Sequence, residues 1–397
     1  MQENKGDSID VILTAYKRPD ILSQQLEAIH AQTVRPRKIF LYQDGIDSYY
    51  QIHFKQEFLD RFDGWYIAEE NYGVWKRFEY AERVSSAAYV CIFDDDTIPG
   101  TRWLENCLCH MKKEKAVYGT NGVLVKNHED YPDKTSMRNV GWNDPNETPT
   151  EVDFVGHSWF LDRTWLPDMV RTEFKNKYKY AGEDMYLSYT CQKKGIKTIV
   201  PPHPCASPEL WGSIPRYGYQ YGINNLAISR NSKNHVLMNQ AMKELRSAGW
   251  EFVTDRDGTY IDKIEKDSQE NALRTEKFIA SDLQKIIDSD LPVYLYGAGL
   301  YGKYFYDYLS ARGKKPLAFV VSDFNTGADT GIEDVPVIDV DTLFQKDIKM
   351  ATVIIALNEF YHDAVRERLE GREAITVFPR RGFGYPYERI IDYIRKT

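Results

Sequence analysis

Hydrophobic positions in the first quarter of the chain fall in short runs separated by stretches of helical spacing. Val11, Ile12 and Leu13 read as a buried strand, after which Leu22, Leu26 and Ile29 recur along one helical face. "KIFLYQDG" (38–45) reads as a second strand that closes on Asp44 and a turn glycine. "WYIAEENYG" (65–73) reads as a third, and "AAYVCIF" (87–93) as a fourth. The last is a continuous apolar run, the pattern of a central parallel strand covered on both faces. Strand and helix patterns alternate, which predicts an α/β fold built on a doubly wound sheet. Ligands of such sheets gather at the carboxyl ends of the strands. Thr14, Tyr16, Arg18, Asp44, Asn71 and the run Asp94, Asp95 and Asp96 are therefore expected on that rim.

Downstream the pattern weakens. Residues 114–180 are less regular, and the turn-forming residues of 127–151 predict a long loop. "VDFVGHSWFLDRTWL" returns to strand character. "GEDMYLSYTCQKKG" predicts a helix with acids at its start and lysines near its end. Gly195 stops it before a strand at 196–200. Residues 232–289 are charged and helical, a bridge between a first domain at 1–231 and a second at 290–397. That second domain opens with a strand, the glycine turn "GAGLYG" and a helix. Gly297, Gly299 and Gly302 follow the GxGxxG spacing of dinucleotide sites, and Asp323 lies near the ribose-binding position about 20 residues on. The segment holds about half of a full dinucleotide fold. Nucleotide binding and a structural, oligomer-forming role both stay open for it.

A chain of 397 residues exceeds one ordinary core and fits this division. Its net charge of −8 argues against a nucleic-acid partner, which is gripped by basic surfaces. Aromatics make up 14 % of it, including 28 tyrosines, which suits sugar or nucleotide surfaces as well as ordinary packing. The five cysteines form no CxxC pair. Cys107, Cys109 and His110 sit in a helical pattern without a second ligand pair, so the cysteines read as packing residues in a reducing cytosol. The polar, acidic start is no signal peptide, and no apolar run matches a membrane span.

Three adjacent aspartates at the end of a buried strand repel one another unless a cation offsets them. A hard divalent ion, Mn²⁺ or Mg²⁺, takes such oxygen ligands together with substrate phosphates. A solvated acidic turn is the plain alternative; the position after a buried strand favours the metal.

The order of elements over roughly residues 8 to 230 resembles the GT-A fold of nucleotide-sugar glycosyltransferases, especially family 2. Asp94-Asp95-Asp96 resembles its DxD motif, in which the last aspartate, here Asp96, holds the metal. Gly156 and His157 in "FVGHSWF" resemble the glycine loop beside the acceptor, with Trp159 just after it. Gly182-Glu183-Asp184 resembles the xED motif, and His203 in "PPHP" resembles a late histidine near metal or phosphate. Thr14, Tyr16 and Arg18 resemble the nucleoside pocket, Asp44 the aspartate at uracil or ribose, and "NYGVWKRFEYA", with Asn71 and Lys76, a further donor segment. The resemblance implies a mixed GT-A sheet, a UDP-sugar donor and a carbohydrate or lipid-linked saccharide acceptor. It also implies inversion, with Asp184 as base and Glu183 positioning the acceptor or exchanging roles with it. The start of the helix is expected to lower the pKa of both acids. Trp211 and the tyrosines at 217, 219 and 221 offer flat rings for sugar faces, or a folded cluster. The second domain resembles small Rossmann-like domains of bacterial sugar-modifying enzymes. The implied setting is bacterial surface polysaccharide or glycoconjugate synthesis, in the cytoplasm or at the inner face of the membrane.

Other readings are weaker. A sugar-nucleotide oxidoreductase centred on 290–397 explains the glycine turn but leaves the acidic motifs idle. A nucleotidyltransferase opens with a glycine-rich loop where this chain has "TAYKRP". A non-catalytic sugar-binding protein predicts donor binding without turnover.

Overall fold

The computed structural model describes residues 6–16, 18, 21–45, 55–142, 144–213, 232–322, 331–332, 334–345, 350–380 and 385–397. Asp323 and the tyrosines at 217, 219 and 221 lie outside them. The chain forms two compact units, Met1–Asn271 and Ala272–Thr397.

The first unit is built on a nine-stranded mixed sheet. Its strands are β1 (Ile9–Ala15), β2 (Lys38–Gln43), β3 (Gly64–Ile67), β4 (Tyr89–Phe93), β5 (Ala116–Val125), β6 (Met137–Gly141), β7 (Thr150–Glu151), β8 (Phe154–Asp162) and β9 (Lys197–Val200). The order is β3-β2-β1-β4-β8-β5-β9-β7, with β6 on β5. The first four are parallel, as their apolar runs predict, and β8 enters antiparallel between β4 and β5. The helices are α1 (Leu22–His30), α2 (Gln56–Leu59), α3 (Lys76–Val84), α4 (Trp103–Lys113), α5 (Leu166–Val170), α6 (Phe174–Lys177) and α7 (Glu183–Gln192).

The weak patterning after residue 114 conceals a ten-residue strand, β5. Gly119 and Gly122 break its apolar alternation because neighbouring strands leave no room. A Cβ at Gly119 would lie 2.4 Å from Val155, and one at Gly122 would lie 2.5 Å from Val200. The expected loop at 127–151 also holds β6, which pairs antiparallel with β5 through Met137↔Val125 to Gly141↔Asn121.

The helical segment expected at 232–289 divides between the two cores. Ala241, Met242 and Leu245 of the helix Ser232–Ser247, with Trp250, Phe252, Val253 and Ile264, pack into the first. Buried Asp153 helps hold this segment, accepting the Val125 N–H at 2.6 Å and the Val253 N–H at 2.7 Å. Ile279, Leu283 and Ile286, late in the helix Tyr260–Asp288, belong to the second core.

The second unit has a six-stranded sheet of β10 (Val293–Tyr296), β11 (Ala318–Val321), β12 (Gly331–Ile332), β13 (Val335–Asp339), β14 (Ala351–Ile355) and β15 (Ile375–Phe378). Its order is β12-β13-β11-β10-β14-β15, with only β12 antiparallel. The parallel strands thus reverse direction of winding between β10 and β14, where a doubly wound sheet opens its crevice. Gly297 takes φ +124° at this point, and a Cβ at Gly302 would meet the Gly297 carbonyl at 2.2 Å. Space around Gly299 is open to 4 Å. Among the described residues of both units, no helix is long and apolar enough to cross a membrane.

Candidate active site

The three aspartates follow β4 directly, and a basic side chain meets each. Arg77 Nη1 donates to Asp94 Oδ1 at 2.5 Å, Arg18 Nη1 to Asp95 Oδ1 at 2.5 Å, and His157 Nδ1 lies 3.5 Å from Asp96 Oδ1. Arg18 also approaches Asp96 Oδ2 at 3.6 Å. This arrangement answers the repulsion that the sequence poses. The turn is pinned from behind by Gln25, whose Nε2 donates to the carbonyls of Asp94 and Thr97, both at 2.7 Å. The carbonyl of His157 fixes it from β8, accepting the Asp94 N–H at 2.9 Å and the Thr97 hydroxyl at 3.0 Å.

Arg77 extends the cluster to α7. Its Nη2 donates to Glu183 Oε1 at 2.7 Å, and its guanidinium lies over the Trp159 ring at 4.6 Å. Gly182 at the helix start adopts φ +80°, left-handed backbone that a side chain would strain, and so turns the two acids inward. Among the described residues, Asp184 Oδ1 accepts only the neighbouring Met185 N–H, at 2.7 Å. Glu183 is thus committed to Arg77, whereas the Asp184 carboxylate keeps acceptor capacity.

Burial dominates the electrostatics. It raises the Asp94 carboxyl to about 6, against the pull of Arg77. Burial also acts upward on Asp96, but the hydrogen bond and charge of His157, with Arg18, bring it down to about 2. For His157 burial acts downward, and Asp96 and Asp94 outweigh it, so its pKa is raised. Burial and the Glu183 charge push Asp184 well above the carboxylate range, and burial raises Glu183. The expected lowering by the helix start is therefore corrected: the Met185 N–H does act that way on Asp184, but desolvation is larger.

Thr14, Tyr16, Asp44 and Asn71, the residues expected at a donor, are each held by hydrogen bonds. The Thr14 hydroxyl donates to the Phe93 carbonyl at 2.7 Å, and Asn71 Nδ2 to the Tyr16 hydroxyl at 2.8 Å. Asp44 accepts the Tyr42 hydroxyl at 2.7 Å and the N–H groups of Tyr72 and Gly73 at 3.0 and 3.1 Å. Lys76 is not brought to the aspartates; it pairs with Glu79 at 2.7 Å. Its neighbour Arg77 takes that place.

His203 also departs from expectation. It is fully buried, and both ring nitrogens serve the backbone: Nδ1 donates to the Pro201 carbonyl at 2.8 Å and Nε2 accepts the Gly212 N–H at 3.2 Å. Burial lowers its pKa to about 4. It is a core histidine packed between Trp103 and Trp211; the histidine near Asp94 and Asp96 is His157. Trp211 is itself buried, its indole N–H donating to the Pro204 carbonyl at 2.8 Å, so it offers no face to a sugar. Trp159 is likewise buried, bonded to the Val155 carbonyl, and forms the floor under Arg77. A Cβ at Gly156 would meet nothing within 4 Å, and Trp142 lies 4.9 Å from the His157 ring. Trp142 and His157 have φ +47° and +67°, strained values for side-chain-bearing residues.

Asp94, Asp96 and His157 each offer a ligand atom, all within 4.8 Å of one another. That span matches the coordination sphere of one ion bound at roughly 2.0–2.3 Å. Two carboxylates and an imidazole are a donor set that a divalent ion can take. The buried Nε–H groups of Arg18 and Arg77 have no partner among the described residues, which leaves donors for an anionic ligand.

Residues 10–169 match the family model described as Glycosyl transferase family 2. This stretch is similar to a family 2 glycosyl transferase domain. The glycosyl transferase match contains the aspartates, Arg18, Arg77 and His157 but stops before Glu183 and Asp184. No curated protein matches the chain.

Three participants escaped the sequence reading, and two had signals. Gln25 occupies the apolar face of α1 with Leu22, Leu26 and Ile29, a polar residue where a core residue belongs. Arg77 lies in the first turn of α3, where the helix dipole disfavours a cation unless an acid compensates. Trp142 sits in a turn-rich segment and carried no periodic signal.

Proposed function

We propose that the protein transfers a sugar from a nucleoside diphosphate donor, UDP-linked, to a carbohydrate hydroxyl with inversion at the anomeric carbon. The observation that carries the reading is the juxtaposition, inside and beside the family 2 domain, of the Asp94–Asp96–His157 triad with Glu183 and Asp184 through Arg77. Asp94, Asp96 and His157 would hold Mn²⁺ or Mg²⁺, which when bound supplies charge for the donor diphosphate. Arg18 carries further positive charge for the departing phosphates. Asp184 accepts the proton of the acceptor hydroxyl as its oxygen attacks the anomeric carbon. The bond from that carbon to the diphosphate oxygen breaks, and the nucleoside diphosphate leaves with the electron pair. A raised pKa makes Asp184 the stronger proton acceptor, while Glu183 holds Arg77 in place.

The test is donor turnover with and without Mn²⁺ in wild type, Asp96→Ala and Asp184→Asn. Asp96→Ala should lose metal-dependent turnover; Asp184→Asn should bind donor but not transfer. Normal transfer by Asp184→Asn, or an NMR time course showing retained anomeric configuration, overturns the assignment.

We read the second unit as Rossmann-like, a reading its parallel strand order supports. Titration of full-length Asp96→Ala with NAD and with UDP-sugars separates its two roles, since that background silences the first donor site. Saturable binding assigns a nucleotide site; none leaves a structural or oligomer-forming role. The setting in bacterial surface polysaccharide or glycoconjugate synthesis, in the cytoplasm or peripheral at the inner membrane face, is argued by analogy with the family.

A further inference from the structure

Helix α3 presents Arg77 to the aspartates, but its Lys76, Glu79, Tyr80 and Arg83 follow the spacing of a single face and line a separate cavity of ≈ 370 Å³. That size lies toward the small end of ligand pockets, which run about 300–1,000 Å³. Tyr42 of β2 and Tyr66 of β3 form one wall, their rings stacked at 6.1 Å and 6° apart in plane. Tyr80 adjoins both, at 5.7 and 6.2 Å. Arg171 and Lys175 also line it.

The charges are unevenly satisfied. Glu79 receives both Lys76, at 2.7 Å, and Lys175, at 2.6 Å. Arg171 reaches Glu82 at 3.3 Å. Arg83 has no acidic partner among the described residues; its guanidinium lies 5.5 Å over the rings of Tyr66 and of Tyr80. Four cations therefore face two carboxylates, and the unspent one is seated against the aromatic wall. Five N–H donors on a flat guanidinium match a phosphate or carboxylate. The tyrosine rings offer apolar faces to a sugar ring. The two glutamates repel a bare anion but accept hydrogen bonds from hydroxyl groups.

We propose that this cavity is a second ligand site, taking a single sugar that carries a phosphate or carboxylate group. Calorimetric titration of the full chain with glucose 1-phosphate, glucuronate, glucose and inorganic phosphate tests it. One or both anionic sugars should bind saturably, with glucose and inorganic phosphate weaker by at least about tenfold. Which anionic sugar binds identifies the anion. Arg83→Gln should weaken binding by at least about tenfold at unchanged melting temperature, and Tyr66→Leu should weaken it through the wall alone. Four results would each overturn the proposal: no saturable binding of either anionic sugar, equal affinity for inorganic phosphate, competition by UDP, or unchanged affinity in Arg83→Gln. Binding is read directly, so the outcome is independent of transferase activity.

Discussion

Arg77 is the group on which the site's electrostatics turn, and its removal has a calculable signature. Its side chain is 12 % exposed and bonds Asp94 and Glu183, whose side chains are 27 % and 10 % exposed. Arg77→Leu keeps apolar bulk against Phe78 and Trp159 but strands two carboxylates in a desolvated place. Removing one partner of a buried pair costs about 3–5 kcal/mol. At about 2–4 °C per kcal/mol for a unit of this size, the melting temperature of the first unit should fall by roughly 6–20 °C at pH 8. The loss should shrink with acidity. Burial already raises the Asp94 carboxyl to about 6, and without Arg77 the folded pKa values of both acids rise further. The folded variant then binds protons that the unfolded chain, with carboxyls near 4, has released. Its stability relative to wild type therefore falls as pH rises from about 4 and is partly regained at pH 5. Calorimetric melts of both proteins at pH 5 and 8 give the comparison. Arg77→Leu combined with Asp94→Asn and Glu183→Gln should restore most of the loss at pH 8. A deficit below about 2 °C, or one equal at both pH values, would show that the guanidinium is only packed there and refute the reasoning.

Mn²⁺ affinity should rise with pH through the raised pKa of His157, because that imidazole must lose its proton to ligate; His157→Gln should weaken binding by at least about tenfold and flatten the profile, as isothermal titration would show. His203→Leu should leave Mn²⁺ affinity unchanged but cost about 1–3 kcal/mol in denaturant melts, since it strands the Pro201 carbonyl and the Gly212 N–H. Asp153, raised to about 7 by burial, should make stability decline between about pH 4 and 7; Asp153→Asn should flatten that slope in urea titrations and cost about 1–3 kcal/mol, because its amide nitrogen cannot accept a backbone N–H.

What the sequence disclosed follows from the kind of signal each part leaves. Strands β1, β2 and β4 are covered on both faces, so their apolar runs are continuous and the parallel half of the first sheet could be read directly. Strand β5 obeys a different constraint. Its neighbours press so closely that Gly119 and Gly122 displace the apolar residues a strand would show. Its pairing with β6 then vanished into what looked like loop.

The candidate site divides along the same line. Asp94 to Asp96 stand out because three acids in a row after a buried strand are unusual, and Glu183-Asp184 through the motif they resemble, but a histidine carries no label for burial. His157 and His203 both sit in apolar surroundings in the sequence. Only the fold decides that one faces Asp96 at 3.5 Å while the other spends both nitrogens on backbone groups. Arg77 reaches the aspartates and Lys76 does not because a helix turns about 100° per position, enough to carry one cation to them and its neighbour to the tyrosine-walled cavity. A cation that spans two acids from a helix's first turn is therefore identified by its partners. Charge reversal can test that logic: Arg77→Glu should lower the melting temperature at pH 8 by more than Arg77→Leu does, because a third carboxylate then joins Asp94 and Glu183, whereas Lys76→Glu, at a side chain 36 % exposed, should lower it far less.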